Sequence, residues 1–446
     1  MVGYSCKGRA FCPSCMGRRM VDTAAHLVDR VFPRVPIRQW VLSFPWAVRF
    51  QLARDSKLLS RAIAIFLQEV FRHYERELLY ARHDLDPDLW RHRRSLPYEA
   101  EMVGGAVTSV QRFGSSLNLN SHLHTLALDG VYFRDPKTQR VLFFEAPRPT
   151  KEALQEVVDR VARRVTRLLV RRGLLSEGSR EEGGLLPVEP ADPTALDVVQ
   201  GASIRGMAGL AGKHKRTEVE GRDKDAPWVS PGEKPFTAEE EGYTIHAGVE
   251  LDGKNREKLE KVCRYLFRPA FAEERLLLRP DGKVEYGFRK PRWDGGRRVV
   301  LEPLELLEKL AALVPPPRAH LTRYSGILAP SHEWRKAVVP AAPEGESGEC
   351  TRRPPFEPWD EEEDERPRRR RNPAREKAMD WASRILRSLK LDVLSCPRCG
   401  GRMKVIATIT EPFTVRKILR SMGLSTEIPS RAPPRASPPG EFEFAQ

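Results

Sequence analysis

Long apolar runs are absent from this sequence, and so is the apolar core of a signal peptide. A membrane-spanning helix needs about 20 predominantly apolar residues in a row, and the sequence contains no such run. The first residues, MVGYSCKGRAFCPSC, carry cysteine and positive charge where a secretory signal would be apolar. No convincing internal repeat is present either. These absences favour a soluble, cytoplasmic protein over a membrane or secreted one.

Positive charge, by contrast, is in excess. The 446 residues include 76 lysines and arginines against 61 aspartates and glutamates, a formal net charge of +15. A basic chain attracts polyanions, and nucleic acid is the first such partner to consider. Charge alone is a weak indication, because many proteins are basic without a specific reason.

Cysteine is scarce, yet four of the seven cysteines form two C-x-x-C pairs: Cys12 with Cys15 in CPSC, and Cys396 with Cys399 in CPRCGG. In a cytosolic chain this spacing favours a metal over a disulfide, and a knuckle of this form directs two thiolates at one zinc ion. A redox pair is the alternative, but neither pair lies between a strand and a helix as in a thioredoxin-like motif. We therefore expect small zinc-knuckle modules at both ends of the chain.

The N-terminal zinc site has few thiolates. Cys6, Cys12 and Cys15 supply at most three, whereas a structural zinc ion has four ligands. Either His26 or a remote cysteine completes the site, or the site is incomplete.

The pattern between the two cysteine pairs predicts a main domain of mixed α/β (α+β) class. Residues 37–44 and 243–251 have the character of strands, and residues 57–82 and 151–173 have the three- and four-residue apolar spacing of long helices. Composition divides the chain further. We expect a truncated zinc-binding head at 1–22, a main domain at 23–330 with a polar insertion at about 174–240, a disordered charged linker at 331–374, a zinc-knuckle module at 375–425 and a mobile tail at 426–446.

Two histidines occupy same-face positions in a segment that otherwise reads as a strand, LNLNSHLHTLALDGVYF at residues 117–133. Side chains alternate across a strand, so His122 and His124 point the same way. Neutral imidazoles are good ligands for a divalent metal, and two on one strand direct two nitrogens at one ion. An H-x-H pair is also frequent by chance, so it needs supporting residues elsewhere.

Tyr265 provides such support. It lies in LEKVCRYLFRP, on an amphipathic helix that also carries cations. A structural tyrosine packs among apolar neighbours, whereas a tyrosine that attacks a phosphodiester needs cations to attract the backbone and stabilise the transition state. Tyrosine nucleophiles leave a covalent phosphotyrosine. The neighbouring cations, which are also the nearest candidate phosphate contacts on this helix, are Lys258, Lys261, Arg264 and Arg268.

Several blocks together resemble the transposases of the insertion-sequence ninety-one type, which belong to the HUH endonucleases. The blocks are SCKGRAFCPSCMGRR, IRQWVLSFP, QRFGSSLNLNSHLHTLALDGVY, LEKVCRYLFRPAFAEERL, LEPLELLEKLAALVPPPRAHLTRYSGILAP and DVLSCPRCGGRMKVIATI, from about residue 5 to 425. The resemblance implies an HUH-endonuclease-like antiparallel sheet flanked by helices and an N-terminal zinc-binding domain.

The resemblance also implies a chemistry. The H-u-H motif falls on His122 and His124, which would bind Mg²⁺ or Mn²⁺, and the nucleophile falls on Tyr265. Such a rolling-circle transposase nicks one DNA strand, forms a 5′-phosphotyrosine and leaves a free 3′-OH. It would work on single-stranded element ends and in the bacterial nucleoid.

A third ligand for the catalytic metal is expected, because two histidines hold an ion poorly. Gln111 on the neighbouring strand and His246 in the strand before the tyrosine helix are the candidates, and we favour His246. Asp129 is expected to cap the Asp-Gly turn rather than bind metal. Arg112 is a further candidate phosphate contact, and Phe113, Phe267 and Trp293 are candidates for stacking on bases.

Two departures from the family keep alternatives open. Many members carry two catalytic tyrosines four residues apart, but the position four before Tyr265 is Lys261. The additional cysteine pair that usually precedes SCK is also missing. The alternatives are a catalytically silent DNA-binding remnant, a plasmid-type replication initiator or relaxase, and a zinc-dependent redox or regulatory protein. The last would leave the histidine pair and Tyr265 without a purpose.

Overall fold

The computed structural model describes most of the chain in two compact units, residues 1–380 and 381–446. Of the residues described, no helix is long and apolar enough to span a bilayer. The described residues are 12–85, 102–134, 139–177, 184–208, 217–221, 235–292, 295–316, 319–340, 381–390, 392–396, 399–404, 412–421 and 423.

Helices surround the sheets of the first unit, and two more lie in the second. The longest described helix, α3, covers 30 residues and continues the apolar spacing predicted for residues 57–82. The helices are α1 (Pro13–Arg30), α2 (Trp46–Arg54), α3 (Ser56–Leu85), α4 (Lys151–Val170), α5 (Ala195–Ile204), α6 (Arg256–Leu266), α7 (Pro303–Leu313), α8 (Arg335–Val338), α9 (Trp381–Leu389) and α10 (Pro412–Ser421), with a 3₁₀ turn at Glu273–Arg275.

The main sheet of the first unit is antiparallel throughout, with six strands in the order β10-β11-β1-β4-β3-β15. Smaller sheets are β12-β13-β14-β9, β2-β5-β6 and β7-β8. The strands are β1 (Ile37–Ser43), β2 (Met102–Val103), β3 (Gly105–Phe113), β4 (Leu119–Leu128), β5 (Gly130–Arg134), β6 (Val141–Glu145), β7 (Leu175–Glu177), β8 (Leu185–Pro187), β9 (Glu218–Glu220), β10 (Thr237–Glu240), β11 (Tyr243–Leu251), β12 (Leu276–Leu278), β13 (Val284–Gly287), β14 (Arg298–Leu301) and β15 (Thr322–Gly326).

Helices cover both faces of the main sheet, because its strands alternate between two apolar cores. Trp40 and Leu42 of β1 pack with α2, α3 and α4 on one face. Ile37 of β1 and Leu126 of β4 pack with α1 and α6 on the other face. The predicted antiparallel sheet flanked by helices is therefore confirmed, and we call the second surface the α1/α6 face.

The turn between β3 and β4 lies where the sequence predicted it. The amide of Gly114 donates to the carbonyl of Asn118 at 2.9 Å, and Leu117 adopts a left-handed φ of 59° while its side chain is buried. This tight hairpin fixes the register that sets His122 opposite Gln111 and His124 opposite Ser109.

The segment predicted as a polar insertion, about 174–240, contributes strands to three sheets, and its β7 and β8 together form the two-stranded one. Its β10 forms an edge of the main sheet, and its β9 forms an edge of the four-stranded sheet. At the other end, the described fold continues past residue 330, since Trp334 is buried in the α1/α6 core. The rest of the predicted linker, residues 341–374, and the predicted tail, residues 426–446, lie outside the described residues. The predicted domain limits stay predictions.

Candidate active site

The histidine pair lies in the middle of the main sheet, on the α1/α6 face. His122 is opposite Ser43 of β1 and Gln111 of β3, and His124 is opposite Val41 and Ser109. The two imidazole rings stand 4.9 Å apart between centroids. The alternation of β4 therefore delivers both rings to one place, as the sequence predicted from spacing alone.

Each ring has a hydrogen-bond partner at its Nδ1. His122 Nδ1 lies 2.8 Å from the carbonyl oxygen of Asn120, which can only accept, so Nδ1 carries the proton and Nε2 keeps its lone pair. The side-chain amide nitrogen of Gln39 on β1 lies 2.9 Å from His124 Nδ1. In this orientation the amide donates to Nδ1, and the proton of the neutral ring is on Nε2. Rotation of the amide by 180° would present its oxygen to Nδ1 and leave the lone pair of Nε2 free for a ligand.

Burial keeps both rings uncharged. It lowers the pKa of His122 to about 4, with a smaller contribution from nearby arginines, and the pKa of His124 to about 3, with a contribution from His122 itself. Two neutral imidazoles in contact at neutral pH are chemically ready to hold a cation, since no proton has to leave first.

Gln111 adds an oxygen beside the pair. Its Nε2 donates to the carbonyls of Leu266 at 2.9 Å and Tyr265 at 3.2 Å, which ties β3 to the last turn of α6. Its Oε1 is buried and has no hydrogen-bond partner among the described residues. A buried polar atom without a partner costs free energy. A bound cation or hydrogen-bond donor at the Oε1 of Gln111 would remove that cost.

Tyr265 lies beside the pair with its ring accessible. Its side chain is 40% exposed, and the ring stands nearly perpendicular to that of His124 at 5.7 Å between centroids. The guanidinium of Arg268 lies 4.5 Å from the Tyr265 ring centroid. An exposed phenol between an arginine and a buried histidine pair has the composition of a nucleophile site.

The helix that carries Tyr265 is held firmly at both ends. Asn255 caps its start by accepting a hydrogen bond from the amide of Lys258 at 3.0 Å. At its end, Ser109 joins Gln111 in donating to the carbonyl of Leu266, at 3.0 Å. Leu259, Cys263 and Leu266 bury the inner side of the helix against the α1/α6 core.

The structure does not bring His246, the favoured third ligand, together with the pair. His246 lies on β11, one strand beyond β1 and opposite Val41. Its ring lies over Gly248, where an added Cβ would be 2.9 Å from Nε2. Among the described residues, no group of three or more histidine, cysteine, aspartate or glutamate side chains is placed to hold a metal. Gln111, the other candidate, is the one that the fold sets beside His122.

The expectation for Arg112 is wrong. Its guanidinium is buried and donates to four main-chain carbonyls, those of Leu313, Ala53, Ala312 and Val314. A β-bulge between Gln111 and Phe113 accompanies this position in β3, and burial lowers the arginine's pKa to about 10. Arg112 therefore joins β3, α2 and α7, and is not accessible to a phosphate.

The expectation for Asp129 is also wrong, because its carboxylate does not cap the turn. It accepts from Nε of the buried Arg38 at 2.9 Å and from the hydroxyl of Tyr74 at 3.1 Å. Phe267 is buried in the α1/α6 core, where no base can stack on it. Trp293 lies outside the described residues.

The remaining basic candidates surround α6 to different depths. Lys258 and Lys261 are exposed, and Lys261 pairs with Glu257 at 3.1 Å on the same helix. Arg264 and Arg268 are half-buried. These four side chains are compatible with a strand that runs past Tyr265.

Gln39 is the site residue that sequence reasoning missed. A signal was present, since a single glutamine stands among apolar residues in IRQWVLS. A polar side chain buried in such a strand needs a partner, and the partner here is His124. Arg49 of α2 was missed as well; its charge acts on His122 and helps to lower that pKa.

The cysteine pairs are described only in part. In the second unit, the amide of Gly400 donates to the carbonyl of Cys396 at 2.8 Å, and the amide of Cys396 donates to Gly401 at 2.9 Å. Gly400, at a φ of 69°, lies in the turn that follows Cys399, and residues 397–398 between the two cysteines lie outside the described residues. Zinc at these residues stays a prediction.

At the head, Cys6 lies outside the described residues and the side chain of Cys15 is not described. His26 cannot share a zinc ion with Cys12. The two residues are separated by 14 positions along α1, or about 21 Å at 1.5 Å per residue.

Comparison with known families decides what this site belongs to. Residues 105–336, which are 232 of the 446 residues, match the model of a protein family described as "Putative transposase". The chain belongs to this transposase family. Both histidines, Gln111 and Tyr265 fall inside the matched part of the transposase. A comparison with curated proteins finds no match, and a comparison with solved structures finds none either. Family membership implies that the transposase processes nucleic acid.

Proposed function

We propose that this transposase is a rolling-circle enzyme of the HUH type that nicks single-stranded DNA through Tyr265. The observation that carries the proposal is the contact between the exposed ring of Tyr265 and the buried, neutral His124, whose partner in the pair, His122, is half-buried. The antiparallel sheet with the pair on a central strand supports the HUH comparison.

In the proposed reaction, the phenolic oxygen of Tyr265 attacks the scissile phosphorus and the bond from phosphorus to the 3′-oxygen breaks. The phenol gives up its proton, and the departing 3′-oxygen takes one up, so the products are a 5′-phosphotyrosine and a 3′-OH. Arg268, 4.5 Å from the ring, stabilises negative charge on the phenolate and on the phosphate oxygens. The phosphotyrosine conserves the bond for later rejoining.

The residues present fit a divalent metal. Nε2 of His122 and the unpartnered Oε1 of Gln111 would supply one nitrogen and one oxygen donor. Nε2 of His124 would supply a second nitrogen once the amide of Gln39 turns its oxygen toward Nδ1. Such a mixed donor set suits Mn²⁺ or Mg²⁺. When bound, the metal supplies charge that polarises the phosphate and orients it for in-line attack. Gln111 also ties the backbone of Tyr265 to the same strand, so one side chain serves both the metal and the nucleophile.

The DNA is proposed to enter as a single strand along α6. Lys258, Lys261 and Arg264 lie on this helix and Arg268 follows it, close to the nucleophile, where they would contact phosphates. Structural zinc at the two cysteine motifs and an association with the nucleoid complete the proposal.

The test is formation of a covalent adduct on labelled single strands from the ends of the surrounding DNA element, with Mn²⁺ or Mg²⁺. We expect an adduct with the wild type and none with Tyr265→Phe or His124→Ala. Tyr324→Phe, which removes the hydroxyl of a half-buried tyrosine on β15, is the matched control and should react normally.

The outcomes separate the alternatives. A folded wild type that binds DNA without forming an adduct would leave the silent, DNA-binding remnant. An adduct that survives Tyr265→Phe would assign the nucleophile to another tyrosine. An adduct formed on plasmid-type origins rather than on element ends would favour the replication initiator or relaxase.

A further inference from the structure

A polar cavity opens beside His122 and Arg268, two residues that the proposed reaction at Tyr265 uses, and it continues beyond them. Its volume is about 410 Å³, within the range of pockets that hold small ligands. It is formed where the β3–β4 hairpin meets the segment after α6 and the strand β13. Its described lining residues include Phe113, His122, Arg268, Phe271, Arg275, Tyr286 and Arg289.

The cavity is cationic and aromatic. Three arginines line it, and no aspartate or glutamate is among the described residues around it. Arg275 is half-buried and Arg289 is exposed at the rim. The Nε of Arg268 is buried without a hydrogen-bond partner among the described residues. Such a cavity fits a ligand with negative charge and at least one strong acceptor.

The aromatic side chains narrow the ligand class further. Phe113 and Phe271 are half-buried, and the guanidinium of Arg268 lies 5.5 Å from the Phe113 ring centroid, while Tyr286 is buried. Aromatic rings beside arginines bind the faces of nucleobases, and this combination is typical of single-strand sites. A base in a duplex is stacked and paired, so only an unpaired nucleotide can place its base in a cavity of this kind.

The position of the cavity relative to Tyr265 indicates which nucleotide of the cleaved strand occupies it. Tyr265 packs against His124, whereas the cavity begins at His122. In-line displacement requires the attacking and leaving oxygens on opposite sides of the phosphorus. Arg268 contacts the Tyr265 ring and also lines the cavity, so the cavity adjoins the reaction centre. If Tyr265 attacks the phosphate from the His124 side, the leaving 3′-oxygen faces the His122 side, where the cavity begins.

We propose that this cavity binds the unpaired nucleotide whose 3′-oxygen leaves, with its base against Phe271 and Phe113 and its own phosphate at Arg275 and Arg289. The inference rests on the proposed nicking function and adds to it a site that holds the free 3′ end after cleavage. A retained 3′ end is available for the later rejoining step.

The first test measures binding and does not depend on cleavage. Short fluorescent single strands are titrated without divalent metal against the wild type, the double variant Arg275→Ala/Arg289→Ala, and the control Lys290→Ala. Lys290 is an exposed cation next to Arg289 that does not line the cavity. We expect the double variant to bind about tenfold more weakly and its salt dependence to fall by about 0.7 in log–log slope per lost phosphate contact. The control should keep nearly the wild-type slope.

The second test assigns the nucleotide. Once the cleaved position is known, an abasic site is placed at the nucleotide that carries the 3′-oxygen or at its neighbour across the cut. We expect the first substitution to weaken binding to the wild type, and this loss to disappear in Phe271→Ala, because both changes remove the same stacking contact. Circular dichroism checks that each variant is folded. If Phe271→Ala is unfolded, the arginine variants alone test whether the cavity binds the strand.

The two proposals fail separately. A double arginine variant with wild-type affinity and slope overturns the cavity proposal, even if the wild type forms its adduct. An abasic effect only across the cut overturns the leaving-side assignment. Loss of binding in the arginine variants, together with a wild type that forms no adduct, supports the cavity and overturns the nicking function.

Discussion

The two faces of the main sheet bury polar groups in opposite ways. On the face covered by α2, α3 and α4, the buried Arg38 is matched by Asp129, which also accepts from Tyr74, and Tyr74 accepts from the indole of Trp40 at 2.8 Å. On the α1/α6 face, the oxygen of Gln111 has no partner among the described residues.

This difference separates structure from function. A buried ion pair with complete hydrogen bonds maintains the fold, and breaking it leaves an uncompensated charge. A buried polar atom without a partner destabilises the folded state, and it is retained where a ligand supplies the missing contact. Changes to the first group should therefore act on stability, and changes to the second on metal and DNA.

The largest effect is expected from Asp129→Ala. The substitution leaves Arg38 buried with only the half-exposed Glu250, 3.1 Å away, as a counter-charge. We expect the free energy of unfolding, measured in urea, to fall by about 3–5 kcal/mol. Glu189→Ala, which breaks the exposed pair with Arg205, should cost less than about 1 kcal/mol. An equal loss in the free energy of unfolding for the two substitutions would show that the buried ion pair stabilises the fold no more than the exposed one.

The second effect is expected at His124, in metal affinity rather than in stability. Removal of one of two imidazole ligands should weaken Mn²⁺ binding, measured by calorimetry, by more than about 100-fold, since even a partner behind the ligands contributes 10- to 100-fold. His246→Ala is the control, because His246 lies beyond β1 and away from the pair. If His246→Ala removed metal binding as fully as His124→Ala, the third ligand would be His246 and not Gln111.

Sequence alone predicted the parts of this face that depend on local periodicity. The strand period delivers His122 and His124 to one face, and the helix period around LEKVCRYLFRP leaves Tyr265 accessible. The Gly114–Leu117 turn predicts the hairpin that brings Gln111 opposite His122. These features are set within a few residues of chain, so pattern is enough to find them.

Sequence could not predict contacts between distant segments. Arg112 is separated by about 200 positions from the α7 carbonyls that bury it, and Asp129 by 91 positions from Arg38. Both residues look like surface or turn residues in their local context. Gln39 and His124, 85 positions apart, meet only because β1 and β4 are neighbours in the sheet.

Gln39 tests the comparison between the two faces further, because it is buried on the α1/α6 face and has His124 as its hydrogen-bond partner. If it orients His124 for a ligand, Gln39→Leu should weaken Mn²⁺ binding by about tenfold while the free energy of unfolding changes little. Gln39→Glu should restore the affinity, since a carboxylate accepts a hydrogen bond from Nδ1 and leaves Nε2 free. A purely structural glutamine would instead show a loss of stability in both variants and no difference between them in metal affinity.

His73 is the exception on the opposite face. It packs edge-on against Trp40, with ring centroids 5.9 Å apart. Neither ring nitrogen has a hydrogen-bond partner among the described residues, and Glu77 lies 3.6 Å from Nδ1. Burial lowers its pKa from 6.5 to about 4. The charged groups that act on it are Arg76, Glu156 and Arg38.

The smallest effect is expected from His73→Phe, as a change in the pH dependence of stability. Between pH 6.5 and about 4 the unfolded chain binds a proton at His73 and the folded chain does not, so stability falls as the pH falls. The phenylalanine variant lacks this contribution, and its free energy of unfolding relative to the wild type should improve by about 1 kcal/mol from pH 7 to pH 5.5. A His73→Phe difference that is constant with pH would mean that the folded and unfolded chains bind a proton at His73 equally, so that burial does not lower its pKa.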